Sequence, residues 1–182
     1  MEIAETYLKG CFVITPKMHK DERGYFLETF NEKIFFKTTG IKNKFVQDNL
    51  SKSSKGVLRG LHFQKGNTAQ AKLVQVISGK VLDVCVDLRK DSPTFGKHFS
   101  ILLDCVKKQQ LYVPRGFAHG FIVLENNTVF SYKCDNYYDK SSESGIIFND
   151  KFLNIDWGFS EDKMIVSEKD KNLLTFKSLF KC

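Results

Sequence analysis

An alternation of apolar and polar side chains is the feature that most constrains this chain. Between residues 82 and 89, apolar residues at 82, 84, 86 and 88 alternate with Asp, Cys, Asp and Arg. Successive side chains of a β-strand point to opposite faces of a sheet, so this period of two predicts a half-buried strand.

Turn signals join this strand to others at hairpin spacing. Residues 72–77 precede it across Ser78-Gly79-Lys80, where Gly79 can adopt a positive φ angle. Residues 121–124 and 128–134 pair in the same way across Glu125-Asn126-Asn127, and further strands are predicted at 56–64, 98–103 and 110–113. Short strands at this spacing predict an all-β fold, an antiparallel sandwich or barrel.

Helical signals occur only at the margins of this pattern. Asn31 can cap a helix over residues 32–39 that ends at Gly40, and apolar residues between 173 and 180 predict a terminal amphipathic helix. The sequence contains no linker, repeat or low-complexity stretch. We therefore expect a single domain over residues 1–182 with short peripheral helices.

Composition excludes several classes of protein. With 42% hydrophobic residues, 17 Phe and 6 Tyr, the chain is too apolar for a disordered segment. No apolar run approaches the roughly 20 residues of a membrane helix, and the start, Met-Glu-Ile-Ala-Glu, is acidic, so a cytoplasmic protein without membrane contact is expected. The five cysteines are scattered without a C-x-x-C pair, which predicts reduced, structural thiols rather than disulfides or a zinc site.

The net charge of +7 is spread along the chain. Only four of the 28 basic residues are arginines, and no basic arm or helical stripe is present, so we predict no nucleic-acid binding. A smaller anion, such as a sugar nucleotide diphosphate, suits this charge equally well.

Four short blocks are unusually rich in polar groups for positions in or beside strands. Two of them contain Arg23 and Arg59, whose planar guanidinium groups suit a diphosphate better than lysine does. The blocks are residues 21–28, 47–49, 59–64 and 116–121.

A metal site of the cupin type is disfavoured. Residues 114–119 resemble the second cupin motif, which places a histidine after a Pro-x-Gly turn. The first motif should supply two histidines, but it has only His62, and Gln64 stands where the second should be. Two imidazoles without a carboxylate make a poor zinc or iron site, so we predict a cupin shell without metal rather than a metal-dependent oxygenase.

Acid and base chemistry remains, and His62 is the best general base. The alternative is a packed histidine that donates to a backbone carbonyl. Arg59 and His62 would face opposite sides of a regular strand. They can share a pocket only if Gly60 bulges or bends that strand.

Three further residues each allow a structural and a chemical interpretation. Lys72 begins a strand and is either a solvated edge residue or a cation that stabilises an oxyanion. Tyr132 is either a core ring or a proton donor. Asp170 is either part of a capping box at 167–170 or a carboxylate that supports a catalytic imidazole.

Together the polar blocks resemble the dTDP-4-keto-6-deoxyglucose 3,5-epimerase family, also called dTDP-4-dehydrorhamnose 3,5-epimerase, from about residue 8 to 172. The motifs that carry the resemblance are Asp-Glu-Arg-Gly-Tyr-Phe at 21–26, Val-Gln-Asp-Asn at 46–49, Val-Leu-Arg-Gly-Leu-His-Phe-Gln at 57–64, Gln-Ala-Lys-Leu-Val at 70–74, Ser-Pro-Thr-Phe-Gly at 92–96 and Gly-Phe-Ala-His-Gly-Phe at 116–121.

The resemblance implies a cupin-type jelly roll and a homodimer in which a strand or loop of one subunit closes the pocket of the other. It implies that His62 is the base with Asp170 as its partner, that Tyr132 is the acid on the opposite face, and that Lys72 stabilises an enolate. The positions that match substrate-binding residues of the family are Arg23, Glu28, Gln47, Asp48, Asn49, Arg59, His119, Glu143 and Lys169.

The implied reaction inverts C3 and C5 of dTDP-4-keto-6-deoxy-D-glucose to give dTDP-4-keto-L-rhamnose, without metal or nicotinamide because no net oxidation occurs. Tyr112 and Phe148, where the family usually carries tryptophan, motivate one alternative: inversion of a single centre, or turnover of another nucleotide-linked 4-keto sugar. A non-catalytic cupin that binds a sugar or nucleotide is the alternative from a different class.

Overall fold

The computed structural model describes residues 1–181, so one of the five cysteines predicted to be reduced, Cys182, lies outside the described residues. Its helices are α1 (Glu32–Thr39), α2 (Glu168–Lys171) and α3 (Phe176–Phe180). Its strands are β1 (Glu2–Glu5), β2 (Phe12–Thr15), β3 (Met18–Asp21), β4 (Gly24–Leu27), β5 (Gln47–Ser53), β6 (Val57–Gln64), β7 (Lys72–Ser78), β8 (Lys80–Asp87), β9 (His98–Asp104), β10 (Gln110–Val113), β11 (Phe117–Val123), β12 (Thr128–Cys134), β13 (Glu143–Gly145) and β14 (Ile165–Val166).

Two large sheets form a sandwich. One sheet has the order β1-β2-β10-β7-β12-β5, and the other has the order β13-β6-β11-β8-β9, with β14 parallel to β6. Buried residues of both sheets, among them Val74 on β7 and Phe121 on β11, pack together as the inner core. The predicted all-β, jelly-roll architecture is confirmed. The two predicted hairpins are wrong, because β7 and β8 lie in different sheets, as do β11 and β12, so the turns between them connect the two sheets. Strands β3 and β4 form a separate hairpin.

Strand β8 is buried on both faces, so the predicted half-buried strand is wrong in this respect. Its outer face, with Val84 and Val86, packs in a second core cluster that includes Trp157 and Phe176 from the C-terminal segment. Its inner face carries Asp83, which is also fully buried. The two faces of β8 therefore lie in two different buried regions. One is the core between the sheets, and the other is the cluster beneath the C-terminal segment, which covers this sheet.

The first predicted helix is confirmed and the terminal one is shorter than expected. Asn31 Oδ1 accepts a hydrogen bond from the Ile34 N–H (3.0 Å) at the start of α1. Near the chain end, Leu174 is extended and bridges Ile146, and helix α3 begins only after Thr175. Within residues 1–181 no helix has the length and apolar character needed to cross a membrane.

A register shift between β6 and β11 produces the bend that the sequence analysis required. His62 lies opposite His119 and Arg59 lies opposite Phe121, so two residues of β6 face Gly120 alone. Gly60 has φ +127°, and a Cβ atom there would lie 2.5 Å from the Gly120 Cα. Only glycine fits this close approach. The shift turns Arg59 and His62 toward one cavity.

Candidate active site

A cavity of about 670 Å³ lies over this register shift, and it collects residues from distant parts of the chain. Strand β6 forms its floor, and β5, β7, β11 and β12 contribute further lining residues. The residues of the sequence analysis that line it are Asn49, Arg59, His62, Lys72, His119, Tyr132, Lys169 and Asp170.

His62 and Asp170 form a hydrogen-bonded pair in this cavity. Nε2 of His62 lies 2.7 Å from Oδ1 of Asp170, and the other carboxylate oxygen accepts the N–H of Gly60 at 3.1 Å. The backbone N–H of Asp170 donates to Ser167 Oγ, which caps α2. The backbone of Asp170 thus takes part in the helix cap, while its carboxylate is turned to the imidazole of His62. The catalytic role of this pair stays a prediction.

The environment of Asp170 favours its ionised form. Burial by itself raises the pKa of this carboxyl, but the hydrogen bond and charge of His62 and the N–H of Gly60 outweigh burial, so the pKa lies below its usual value. Nδ1 of His62 has no hydrogen-bond partner among the described residues. The pair can thus hold the imidazole in one tautomer, with Nδ1 free to accept a proton.

Lys72 and Tyr132 lie on the neighbouring central strands β7 and β12. Strand β7 has partners on both sides, so Lys72 is not on a sheet edge. Its Nζ lies 5.8 Å from the centre of the Tyr132 ring. Burial lowers the pKa of Lys72 and raises that of Tyr132. The phenol therefore remains protonated at neutral pH and can act as a proton donor.

A second carboxylate–imidazole pair stands behind the cavity, and sequence reasoning missed its carboxylate. Nε2 of His119 lies 3.0 and 2.9 Å from the two oxygens of Asp83. Asp83 is fully buried on β8, and no local signal marked it, because the alternation there is typical of a half-buried strand with Asp83 on its solvent face. Each imidazole faces its own carboxylate, and within residues 1–181 no three potential metal ligands cluster.

A smaller cavity of about 210 Å³ adjoins the first and shares His62, Lys72 and Tyr132 with it. The predicted residues Gln47 and Glu143 line this cavity, and so does Tyr138, which the sequence analysis did not identify. Glu143 Oε2 accepts the Tyr138 hydroxyl at 3.0 Å and Lys169 Nζ at 2.6 Å. Tyr138 lies in an irregular segment with polar neighbours, so no sequence pattern indicated that its ring lines a cavity.

Three predicted binding residues line neither cavity in the single chain. Arg23, at the tip of the β3–β4 hairpin, has a side chain 83% exposed and pairs with Asp21 at 2.5 Å. Glu28 accepts a hydrogen bond from Asn31 at 3.2 Å, and Asp48 pairs with Lys133 at 3.0 Å. Their roles in binding stay predictions.

An imidazole–carboxylate pair, a phenol and a lysine amine around one cavity of a jelly roll are the groups of an acid–base enzyme. A family model described as dTDP-4-dehydrorhamnose 3,5-epimerase matches residues 5–178. An epimerase of that name from Shigella flexneri is 48% identical over 172 residues, which cover 94% of each chain.

Solved structures agree with this match. The dTDP-4-dehydrorhamnose 3,5-epimerase of Elizabethkingia anophelis is 57% identical, with a TM-score of 0.95 over 98% of this chain and 97% of that one. The Legionella pneumophila enzyme in complex with dTDP-4-keto-L-rhamnose is 45% identical, with a TM-score of 0.91 over 96% and 92%. The chain belongs to the dTDP-4-dehydrorhamnose 3,5-epimerase family. The prediction that it is an isomerase that inverts C3 and C5 is confirmed.

Proposed function

We propose that His62, Tyr132 and Lys72 carry out this epimerisation on dTDP-4-keto-6-deoxy-D-glucose, through enolate intermediates. The observation that supports these roles is the convergence of the three side chains on one cavity, although they lie far apart in the chain. The hydrogens at C3 and C5 of the sugar are both α to the C4 ketone, so a base can remove either of them.

In this mechanism His62 accepts the proton from carbon through Nδ1, and the ionised Asp170 stabilises the imidazolium that forms. The electron pair of the broken C–H bond moves into the enolate, whose negative charge develops on O4. The ammonium of Lys72 stabilises that charge. Tyr132 returns a proton to the opposite face of the same carbon, which inverts the centre.

The adjoining cavity is proposed to hold the nucleoside. The Tyr138 ring is 53% exposed beside it and offers a flat surface on which a nucleobase can stack. Arg59 lines the larger cavity, and within residues 1–181 its guanidinium group has only Ser53 Oγ as a hydrogen-bond partner, at 3.3 and 3.1 Å. Its guanidinium group is therefore proposed to bind the diphosphate between the nucleoside and the sugar.

Isotope exchange tests the catalytic roles. Incubation of the substrate in deuterated water is expected to place label at both C3 and C5 with the native chain. His62→Ala is expected to abolish exchange, whereas Tyr132→Phe is expected to retain loss of hydrogen from carbon without completing inversion. Label at C3 alone would indicate a single-centre epimerase, and full exchange by His62→Ala would refute the proposed base.

We also propose that the chain is a homodimer in which the β3–β4 hairpin of one copy reaches the cavity of the other. The hairpin carries the exposed Arg23 and Phe26, which is 72% exposed, and Glu28 follows it directly. Among the strands of the described part of the chain, β5, beside the cavity, pairs only with β12 and so has a free edge. An edge of this kind can accept a strand of another chain.

Mixing two inactive variants tests this arrangement. If Arg23 acts in the partner's site, a heterodimer of Arg23→Ala and His62→Ala contains one site with both native groups, and activity returns on mixing. If Arg23 acts in its own chain, no site regains both residues and the mixture stays inactive. A monomer by light scattering would refute the dimer.

A cytoplasmic location is supported by the thiols. Four described cysteines are free, and two of them, Cys11 and Cys85, have sulfur atoms only 3.7 Å apart. Reduced thiols at this spacing are typical of a reducing compartment. Fractionation of cells that express the chain tests this location, and recovery in a secreted fraction would contradict it.

A further inference from the structure

The side chain of Gln64 makes three hydrogen bonds to the backbone of two loops. This glutamine, 7% exposed, ends strand β6. Its Oε1 accepts the N–H of Asp139 at 2.7 Å, and its Nε2 donates to the carbonyl oxygens of Thr68 at 2.6 Å and Tyr137 at 3.1 Å. The three backbone groups fix the orientation of the amide, because an N–H only donates and a carbonyl only accepts.

The segment that Gln64 holds carries Tyr138. Residues 137–139 form neither helix nor strand, so regular backbone hydrogen bonds do not determine their position. Gln64 binds the residue on each side of Tyr138, and Gln47 Oε1 accepts the N–H of Tyr138 itself at 2.9 Å. The two glutamine side chains thus hold the backbone that carries the Tyr138 ring at the smaller cavity, together with Asn136, which accepts the Tyr137 N–H, and Ser142, which donates to Asp139.

Gln64 also links this ring to the candidate base. Gln64 lies two residues beyond His62 on the same strand, and both side chains line the smaller cavity. Strand β13 pairs with this part of β6, where Glu143 lies opposite Gln64. Gln64 therefore connects the segment that carries Tyr138 to the strand that carries His62.

We propose that Gln64 is a positioning residue that fixes residues 137–139, and with them the Tyr138 ring, at the nucleoside end of the binding site. This inference rests on the proposed function, because it concerns the nucleotide of the same substrate. The position that supplies a metal ligand in other cupins here organises a loop through hydrogen bonds. Its loss affects binding of the nucleotide and leaves proton transfer at His62 in place.

Two substitutions of Gln64 separate the effect of its hydrogen bonds from the effect of its shape. Gln64→Glu keeps the side-chain size, but an ionised carboxylate donates no hydrogen bond and would face the carbonyl oxygens of Thr68 and Tyr137. Gln64→Met keeps the length and introduces no charge. For both variants we expect the dissociation constant of dTDP and the KM of the sugar nucleotide to rise about tenfold or more, with kcat within about threefold of the native value.

The experiment measures dTDP affinity by calorimetry, steady-state kinetics by isotope exchange, and the melting temperature of each variant. Gln109→Glu is the matched control, since Gln109 Nε2 donates to Thr15 Oγ1 and lines neither cavity. If Gln64→Glu does not fold, Gln64→Met carries the same expectation.

Three outcomes overturn the inference. The first is a folded Gln64 variant with native dTDP affinity, and the second is a loss confined to kcat. The third is failure of both variants to fold, which would show that Gln64 maintains the fold rather than the position of the ring. A native chain that neither binds dTDP nor exchanges label would instead refute the proposed function.

Discussion

Replacement of Asp170 by asparagine tests the proposed base directly, because it alters the tautomer of His62 while it preserves shape. The N–H of Gly60 donates to one oxygen of Asp170, and the other oxygen faces Nε2 of His62. In the variant the single amide oxygen must accept the Gly60 N–H, so the NH₂ group faces Nε2. Since an amide NH₂ only donates, Nε2 becomes the acceptor and the proton moves to Nδ1, the atom proposed to act as base.

The size of the effect follows from these contacts. Loss of a charge-assisted hydrogen bond alone costs about 1.5–3 kcal/mol, which is roughly 10- to 150-fold in rate. The wrong tautomer adds to this loss, and exchange of a carboxylate for an amide behind a catalytic imidazole can cost about 10⁴-fold. We therefore expect kcat to fall by about 10²- to 10⁴-fold in Asp170→Asn. Asp170→Ala, which leaves the tautomer free, should lose only about 10- to 100-fold.

The assay is deuterium incorporation at C3 and C5, with dTDP affinity and melting temperature as checks on folding. Nitrogen NMR of the labelled imidazole reports the tautomer of His62 directly. Asp162→Asn, an exposed change in the same C-terminal segment, is the matched control. The reasoning fails if Asp170→Asn exchanges label within threefold of the native rate, or if the alanine variant is the slower of the two.

Three other substitutions have defined expectations. Gly60→Ala should destabilise the fold by about 2–4 kcal/mol in urea denaturation, because its Cβ would meet the Gly120 Cα at 2.5 Å; a change below about 1 kcal/mol contradicts this. Burial raises the pKa of Asp87, but hydrogen bonds, led by that of Arg89, outweigh burial and lower the pKa from 3.8 to about 2. Asp87→Asn should therefore lower the free energy of unfolding by about 2 kcal/mol above pH 4. That difference should vanish as the pH falls to about 2, and a pH-independent difference would contradict the assignment. Lys72→Met should lower kcat about 10²- to 10³-fold with dTDP affinity retained, and native kcat would exclude its role at O4.

Local sequence patterns predicted the strands well, because turn residues and a period of two are properties of adjacent residues. The separate strands β7 and β8 and the cap at Asn31 were identified in this way, but the pairing of the two strands was not. What the patterns did not predict depends on contacts distant in sequence. The outer face of β8 is buried because the C-terminal segment covers it, and Leu174 is extended because it bridges Ile146.

The same distinction applies to the site. His62, Tyr132 and Lys72 were predicted from their residue types and from the family resemblance. Asp83 was not, because its place in an alternating strand indicated a solvent-facing side chain rather than one buried against His119. Residue type alone does not reveal which side chains a fold brings together.

Gly60 is the exception, because there a local conflict predicted a feature of the tertiary structure. The chemistry required Arg59 and His62 in one pocket, and the period of a regular strand placed them on opposite faces. The glycine between them was the only residue of that segment that could relieve the conflict, and the register shift occurs at that residue. Residues proposed to share a pocket can thus lie on opposite faces of a regular strand. Where they do, the backbone between them must depart from regular strand geometry.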